Sequence, residues 1–171
     1  MDKPWSHIEG FLAEPQPTIL HTVMSAYNRP ECVLVEVGSW TGRSSIAIAS
    51  AVPQATLYCV DPWREAWVQN QWRANTSGYA NIREIQGYSP YCVGEWSHSV
   101  SAVFLDASHS NPNDWTNCMY WLPRIQQGGV FMGHDYSTEF PDVVANVNRI
   151  AARLRQPPQL WPGTSLWCFS L

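Results

Sequence analysis

Short apolar stretches alternate with amphipathic ones along this chain. The first apolar run covers residues 32–37 (CVLVEV), after Asn28-Arg29-Pro30 and before Gly38. Others cover residues 56–60 (TLYCV), 100–105 (VSAVFL) and 129–133 (GVFMG), closed by Asp61-Pro62, by Asp106 and by His134-Asp135. Apolar runs of this length between turn residues read as strands buried on both faces. Residues 82–86 (IREIQ) alternate, which predicts a strand at a sheet edge. Helices are predicted between the runs at 44–51, 65–73, 114–124 and 143–154. The alternation predicts an α/β fold, a single doubly wound, mostly parallel sheet with helices on both faces. A closing run over 165–171 (SLWCFSL) has no room for a crossover helix before it, so it is expected to enter antiparallel. Two short helices, 6–12 and 19–27, are expected over the sheet. One domain then spans 1–171, with a helical cover over 1–30 and the core over 31–171.

Composition narrows the class. Of 171 residues 45% are hydrophobic and 14% charged, which suits a chain with a buried core and excludes a disordered one. A net charge of −4 and a pI near 5.6 argue against a broad basic surface, so no nucleic-acid partner is expected. A small neutral or cationic acceptor suits the surface better. Lys3 is the single lysine, which leaves the body of the chain without a lysine base or phosphate anchor. The cysteines 32, 59, 92, 118 and 168 are widely spaced with no C-x-x-C pair, as in a reducing, cytoplasmic setting. No apolar run reaches the ~18 residues of a membrane span, so no membrane partner is expected. The many aromatics leave a homo-oligomer open.

The strand ends carry the chemistry. In open parallel sheets ligands bind beyond the carboxyl ends of the strands, so Gly38, Asp61, Asp106 and Asp135 are expected to share one crevice. The loop Glu36-Val37-Gly38-Ser39-Trp40-Thr41-Gly42-Arg43-Ser44-Ser45 can bring backbone N–H groups close to a ligand at a helix N-terminus. It is one residue short of a P-loop and lacks the lysine, and it lacks the dinucleotide spacing. Only Arg43 could face a pyrophosphate, whereas a carboxylate suits Ser44 and the helix start.

Glu36-x-Gly38-x-x-x-Gly42-x-Ser44 resembles the first motif of class I S-adenosylmethionine-dependent methyltransferases. Val60-Asp61-Pro62-Trp63, Gly87-Tyr88-Ser89, residues 104–110 (FLDASHS), Asp114 and residues 128–136 (GGVFMGHDY) extend the likeness from about Gly10 to Leu171. Within the class the fuller resemblance is to the macrocin-type sugar O-methyltransferases and the cephalosporin-hydroxylase-like proteins. It implies a Rossmann-like methyltransferase fold with a seven-stranded type of sheet, S-adenosylmethionine as cofactor, and transfer to a small-molecule hydroxyl.

The resemblance also implies roles. Gly38, Ser39, Trp40 and Gly42 would lie against the amino-acid end of the cofactor, with Ser44 on its carboxylate and Glu36 facing its ammonium. Asp61 would take the ribose hydroxyls, Pro62 or Trp63 the adenine face, and Gly87 and Ser89 its edge; Trp63 reads equally well as a core aromatic. Asp106, which also borders the cofactor, would bind magnesium with His134 and Asp135. Such an ion would hold the acceptor hydroxyl and lower its pKa. His134 stands where many metal-dependent relatives carry aspartate, and histidine is the poorer magnesium ligand. In the metal-free alternative His109 or His134 is the general base beside Asp106. Ser108 replaces the acidic base of some relatives, and the lysine of catechol-type enzymes is absent. Asp114 reads as a helix-start residue, and Trp5, Phe11, Tyr136 and Phe140 as acceptor contacts. Two rivals stay open: a metal-dependent oxidative enzyme with His109 or His134 on iron, and a cofactor-binding module without catalysis.

Overall fold

The computed structural model describes residues 3–171. Its strands are β1 (Val33–Val37), β2 (Thr56–Asp61), β3 (Ile82–Gln86), β4 (Val100–Leu105), β5 (Ile125–Gly133), β6 (Gln159–Leu160) and β7 (Trp167–Ser170). The helices are α1 (Gln16–Met24), α2 (Arg43–Ala51), α3 (Ala66–Thr76), α4 (Asn113–Trp121) and α5 (Pro141–Leu154). They form one seven-stranded sheet in the order β3-β2-β1-β4-β5-β7-β6. The first five strands are parallel, and β7 runs antiparallel to both β5 and β6. The α/β expectation, the edge position of β3 and the antiparallel last strand all hold.

Side-chain alternation builds two cores. Leu34, Leu57, Phe104 and Met132 point to the face covered by α1, α2 and α3, with Leu20, Ile48 and Trp72 among their partners. Val35, Val103 and Phe131 point to the other face, covered by α4 and α5 through Trp121, Val147 and Ile150. Helices leave β1 and β4 toward opposite faces, so a crevice opens between these neighbours. Register makes that crevice level: Val37 pairs with Val60 and with Leu105, and Leu105 pairs with Gly133. Gly38, Asp61, Asp106 and His134 therefore leave the sheet at one height.

Most boundaries shift by one to three residues, and the larger departures lie in the N-terminal cover, at the start of β5 and at β6. Residues 4–8 are turns rather than part of a helix over 6–12. Trp5, Ile8 and Leu12 follow helical spacing and are buried, but Thr41 Oγ1 donates to the Glu9 carbonyl, which takes that acceptor away from a helix. The helical part of the cover is thus α1, started by a proline in its first turn and followed by a single 3-10 turn over Ser25–Tyr27, and residues 5–12 pack beside it without forming a helix. Strand β5 begins at Ile125 rather than 129, because residues 126–129 bulge opposite Ser101. Gly128 has φ +79°, and a Cβ on Gly129 would lie 2.7 Å from the Ser101 carbonyl oxygen. Finally, β6 has two residues, too few for a periodicity to register. All five cysteines are free. Among the described residues no helix is long and apolar enough to cross a membrane.

Candidate active site

A cleft of about 1160 Å³ lies over the carboxyl ends of β1, β2, β4 and β5. The loop after β1 forms one wall. Gly38 has φ +91°, and a Cβ there would sit 1.9 Å from the Asp106 carbonyl oxygen. Its bareness is thus required first by the neighbouring strand end. Gly42, at φ +101°, is the N-cap of α2, and it brings Ser44 into the first turn at the cleft.

Asp61 ties this loop to β2. Its Oδ2 accepts from the N–H groups of Ser39 (2.8 Å) and Trp40 (3.1 Å), and its Oδ1 from that of Trp63 (2.7 Å). Trp40 (φ +46°) and Trp63 (φ +36°) are both left-handed, a conformation that costs a non-glycine residue ~1–3 kcal/mol. The carboxylate holds both in place. A carboxylate has about four lone-pair positions, so roughly one is left for a ribose hydroxyl rather than the two foreseen.

The opposite wall carries the ionisable groups. His134 Nδ1 lies 3.0 Å from Asp135 Oδ1 and 3.4 Å from Asp106 Oδ1. Its Nε2 lies 2.9 Å from Gln16 Oε1, an oxygen that also accepts from Ser165 N and Oγ at 3.3 Å. Every partner of the ring is an acceptor, so both nitrogens carry protons. Burial alone would lower the pKa of His134; the hydrogen bonds and charges of Asp106 and Asp135 outweigh it and hold it up at about 10. For Asp135, burial is likewise outweighed by His109 and His134, and its carboxyl stays well below the usual range.

His109 Nε2 donates to Asp135 Oδ2 at 2.7 Å, and its ring packs on Phe140 at 4.5 Å between centroids. The bond to Asp135, stronger in effect than burial, raises the His109 pKa. Nδ1 is the nitrogen left without a proton in the neutral ring.

Donor atoms of Asp106, His134 and Asp135 lie within 4.8 Å of one another, the spacing of a metal site. To act as a ligand, His134 would have to give up the Nδ1 proton that it shares with Asp135 and Asp106, so a cation would compete with that proton, and the set is a poorer magnesium site than three carboxylates would be. A two-histidine, one-carboxylate iron centre would likewise need both His109 and His134 released from their carboxylates. With its ring held between acceptors, His134 is the weaker of the two histidines as a base.

Other foreseen residues divide. Ser39, Trp40, Pro62, Gly87 and Ser89 line the cleft, as do Phe11 and Phe140. Ser89 Oγ accepts from Trp121 Nε1 at 3.0 Å. Glu36 is fully buried beneath the loop, not in its lining, and accepts from Ser39 and Ser45 hydroxyls, so it cannot face an ammonium in the cleft. Burial raises its pKa. Trp63 lines the cleft but is only 3% exposed, packed on Trp72 and donating to the Trp40 carbonyl, and so reads as loop support. Trp5 is buried and Tyr136 lies outside the lining. Asp114 sits in the first turn of α4, buried against Asn146. Gln16 was not foreseen; no local signal marks a glutamine whose partners are 118 and 149 residues away.

Comparison with known proteins agrees with this architecture. The profile of a family described as a methyltransferase domain matches residues 35–136, more than half of the chain. A tRNA (guanine-N(7)-)-methyltransferase from Nocardioides sp. (strain ATCC BAA-499 / JS614) is 26% identical over 105 residues, 61% of this chain and 41% of that protein. The chain thus spans about two fifths of this curated relative. The O-methyltransferase TomG from Streptomyces achromogenes, solved in complex with SAM, has a TM-score of 0.70 at 17% identity, over 99% of this chain and 90% of its own. Cofactor-bound Rv0187 from MTB has a TM-score of 0.71 at 14% identity, over 96% and 83% of the two chains. At these identities the likeness is one of fold. With the strand order, the level crevice and the family match together, the chain belongs to the methyltransferase domain family, on the Rossmann-like fold of the class I S-adenosylmethionine-dependent methyltransferases.

Proposed function

We propose that this protein transfers the methyl group of S-adenosylmethionine to a hydroxyl of a small molecule, with His109 as general base and without a divalent metal. The observation that carries the reading is the His109–Asp135 pair on the cleft wall facing the glycine loop. The donor set fits the cofactor: Ser44 at the start of α2 for its carboxylate, the remaining position on Asp61 for a ribose hydroxyl, and Pro62 for its apolar face. When bound, the cofactor supplies a methyl carbon activated by a positively charged sulfur.

The chain's own part follows. His109 Nδ1 accepts the hydroxyl proton as the oxygen forms its bond to the methyl carbon, and the electron pair of the broken bond returns to sulfur. Asp135 fixes the tautomer through Nε2–H and stabilises the imidazolium that results. The cation of His134 offsets one of the two charges of Asp106 and Asp135, so His109 works beside a cluster that stays net negative and favours the imidazolium. The net charge of −4 favours a small acceptor over RNA, and the motif likeness to sugar O-methyltransferases supports an oxygen.

Calorimetry with S-adenosylhomocysteine should give binding, with no change on adding a chelator. Release of S-adenosylhomocysteine should then appear with members of a panel of small hydroxyl compounds and not with a tRNA transcript. No binding at millimolar ligand would overturn the cofactor, and turnover on the transcript alone would overturn the acceptor.

A further inference from the structure

Four basic side chains line the cleft: Arg43, Arg64, His109 and His134. Three have partners. Arg64 donates to the Tyr88 hydroxyl and lies over its ring, with Cζ 5.2 Å from the centroid, and the two histidines are bound to carboxylates. Arg43 makes no hydrogen bond or ion pair among the described residues, and its Nε is buried without a partner. A guanidinium stripped of part of its water and given no acceptor costs stability unless a ligand supplies one.

Its placement says which ligand. Arg43 is the first residue of α2, next to Ser44, where the opening N–H groups of the helix favour an anion. Its stem runs under the cover: a Cβ on Gly10 would lie 3.0 Å from Arg43 Cβ and 3.2 Å from Cδ. Glycine at that position leaves a channel for the side chain along the cleft wall. The acids of the cleft cluster, Asp106 and Asp135, already have His134 and His109.

We propose that Arg43 binds the carboxylate at the amino-acid end of the S-adenosyl ligand and makes the site selective for ligands that carry it. This rests on the reading of the cleft given above. A charge-assisted, forked contact of this kind sets an effect of about tenfold to a hundredfold in affinity.

The test uses two probes, S-adenosylhomocysteine and 5′-methylthioadenosine, which keeps the nucleoside and thioether but has no amino acid. Dissociation constants are measured by calorimetry for the wild type, Arg43→Met and Arg43→Lys. Arg43→Met should weaken S-adenosylhomocysteine by about tenfold or more and change methylthioadenosine less than about twofold, with Arg43→Lys between. Equal weakening of both probes by the variants, or of neither, overturns the proposal. If Arg43→Met does not fold, Arg43→Lys and Arg43→Gln carry the same comparison. A wild type that binds neither probe overturns the reading of the cleft itself, an outcome distinct from a wild type that binds both equally well, which overturns Arg43 alone.

Discussion

Replacing Asp61 with alanine should destabilise the protein before any ligand is added. The change removes the acceptor of three N–H groups, at 2.8, 3.1 and 2.7 Å, two of them on left-handed tryptophans. A hydrogen bond to a charged group contributes ~1.5–3 kcal/mol. The three are not additive, because the half-buried site admits water and the freed tryptophans relax toward ordinary backbone angles, recovering ~1–3 kcal/mol each. The expected net loss is about 3 kcal/mol, which for a chain of this size lowers Tm by about 6–12 °C. Asp61→Asn keeps one acceptor oxygen and loses the charge, and should cost about half as much. Urea unfolding of the ligand-free protein, followed by circular dichroism, reads both values. If Asp61→Ala loses less than about 0.5 kcal/mol while S-adenosylhomocysteine binding collapses, Asp61 serves the ligand alone and the clamp described here is not real.

Three further outcomes follow from other parts of the site. Gly38→Ala puts a methyl group 1.9 Å from a carbonyl oxygen at φ +91° and should cost more than about 3 kcal/mol or prevent folding, whereas Gly94→Ala, with open space around it, should cost about 1 kcal/mol; similar losses by thermal melting would contradict the packing. His109→Ala should lower kcat by about 10²–10⁴. Because Asp135 raises the His109 pKa, the base is protonated to higher pH than an ordinary imidazole, so activity should rise with pH through a limb above ~6.5, and Asp135→Asn should move that limb down; an unmoved limb would show that the pair is not the titrating group. His134, at about 10 folded against ~6.5 unfolded, adds stability that is complete below the lower value and lost as pH rises through the upper. The gap in urea midpoint between wild type and His134→Gln should therefore close between pH 6.5 and 10, and a gap that widens would refute the doubly protonated ring.

Much of this was legible in the chain because the strands of a doubly wound sheet are apolar on both faces and end in polar residues. Asp61, Asp106 and Asp135 stood out for that reason, and register then made them level. What alternation alone could have corrected is Glu36. It shares the parity of Leu34, which faces α2, while Val35 and Val37 face α4 and α5; a side chain of that parity goes under the helix rather than into the cleft. The start of β5 was hidden because Gly128-Gly129 reads as a turn, and here it is a bulge. The state of His134 could not be read from spacing, since it is set by how closely Asp106 and Asp135 approach Nδ1 and by Gln16, which meets Nε2 from the start of α1, far away in the chain. Trp63 resembles a ligand-stacking residue only until its indole is seen packed on Trp72.

The oxygen of Gln16 has a consequence for biogenesis. It joins the segment ahead of β1 to the end of β5 and to the turn before β7, stretches that leave the ribosome at very different times. A nascent chain can lay down β1 to β4 and shape most of the groove while this three-way junction is still unmade. Until Ser165 is in place, the amide oxygen that holds His134 Nε2 lacks its other two donors, so the stretch before β7 steadies the imidazolium at one remove.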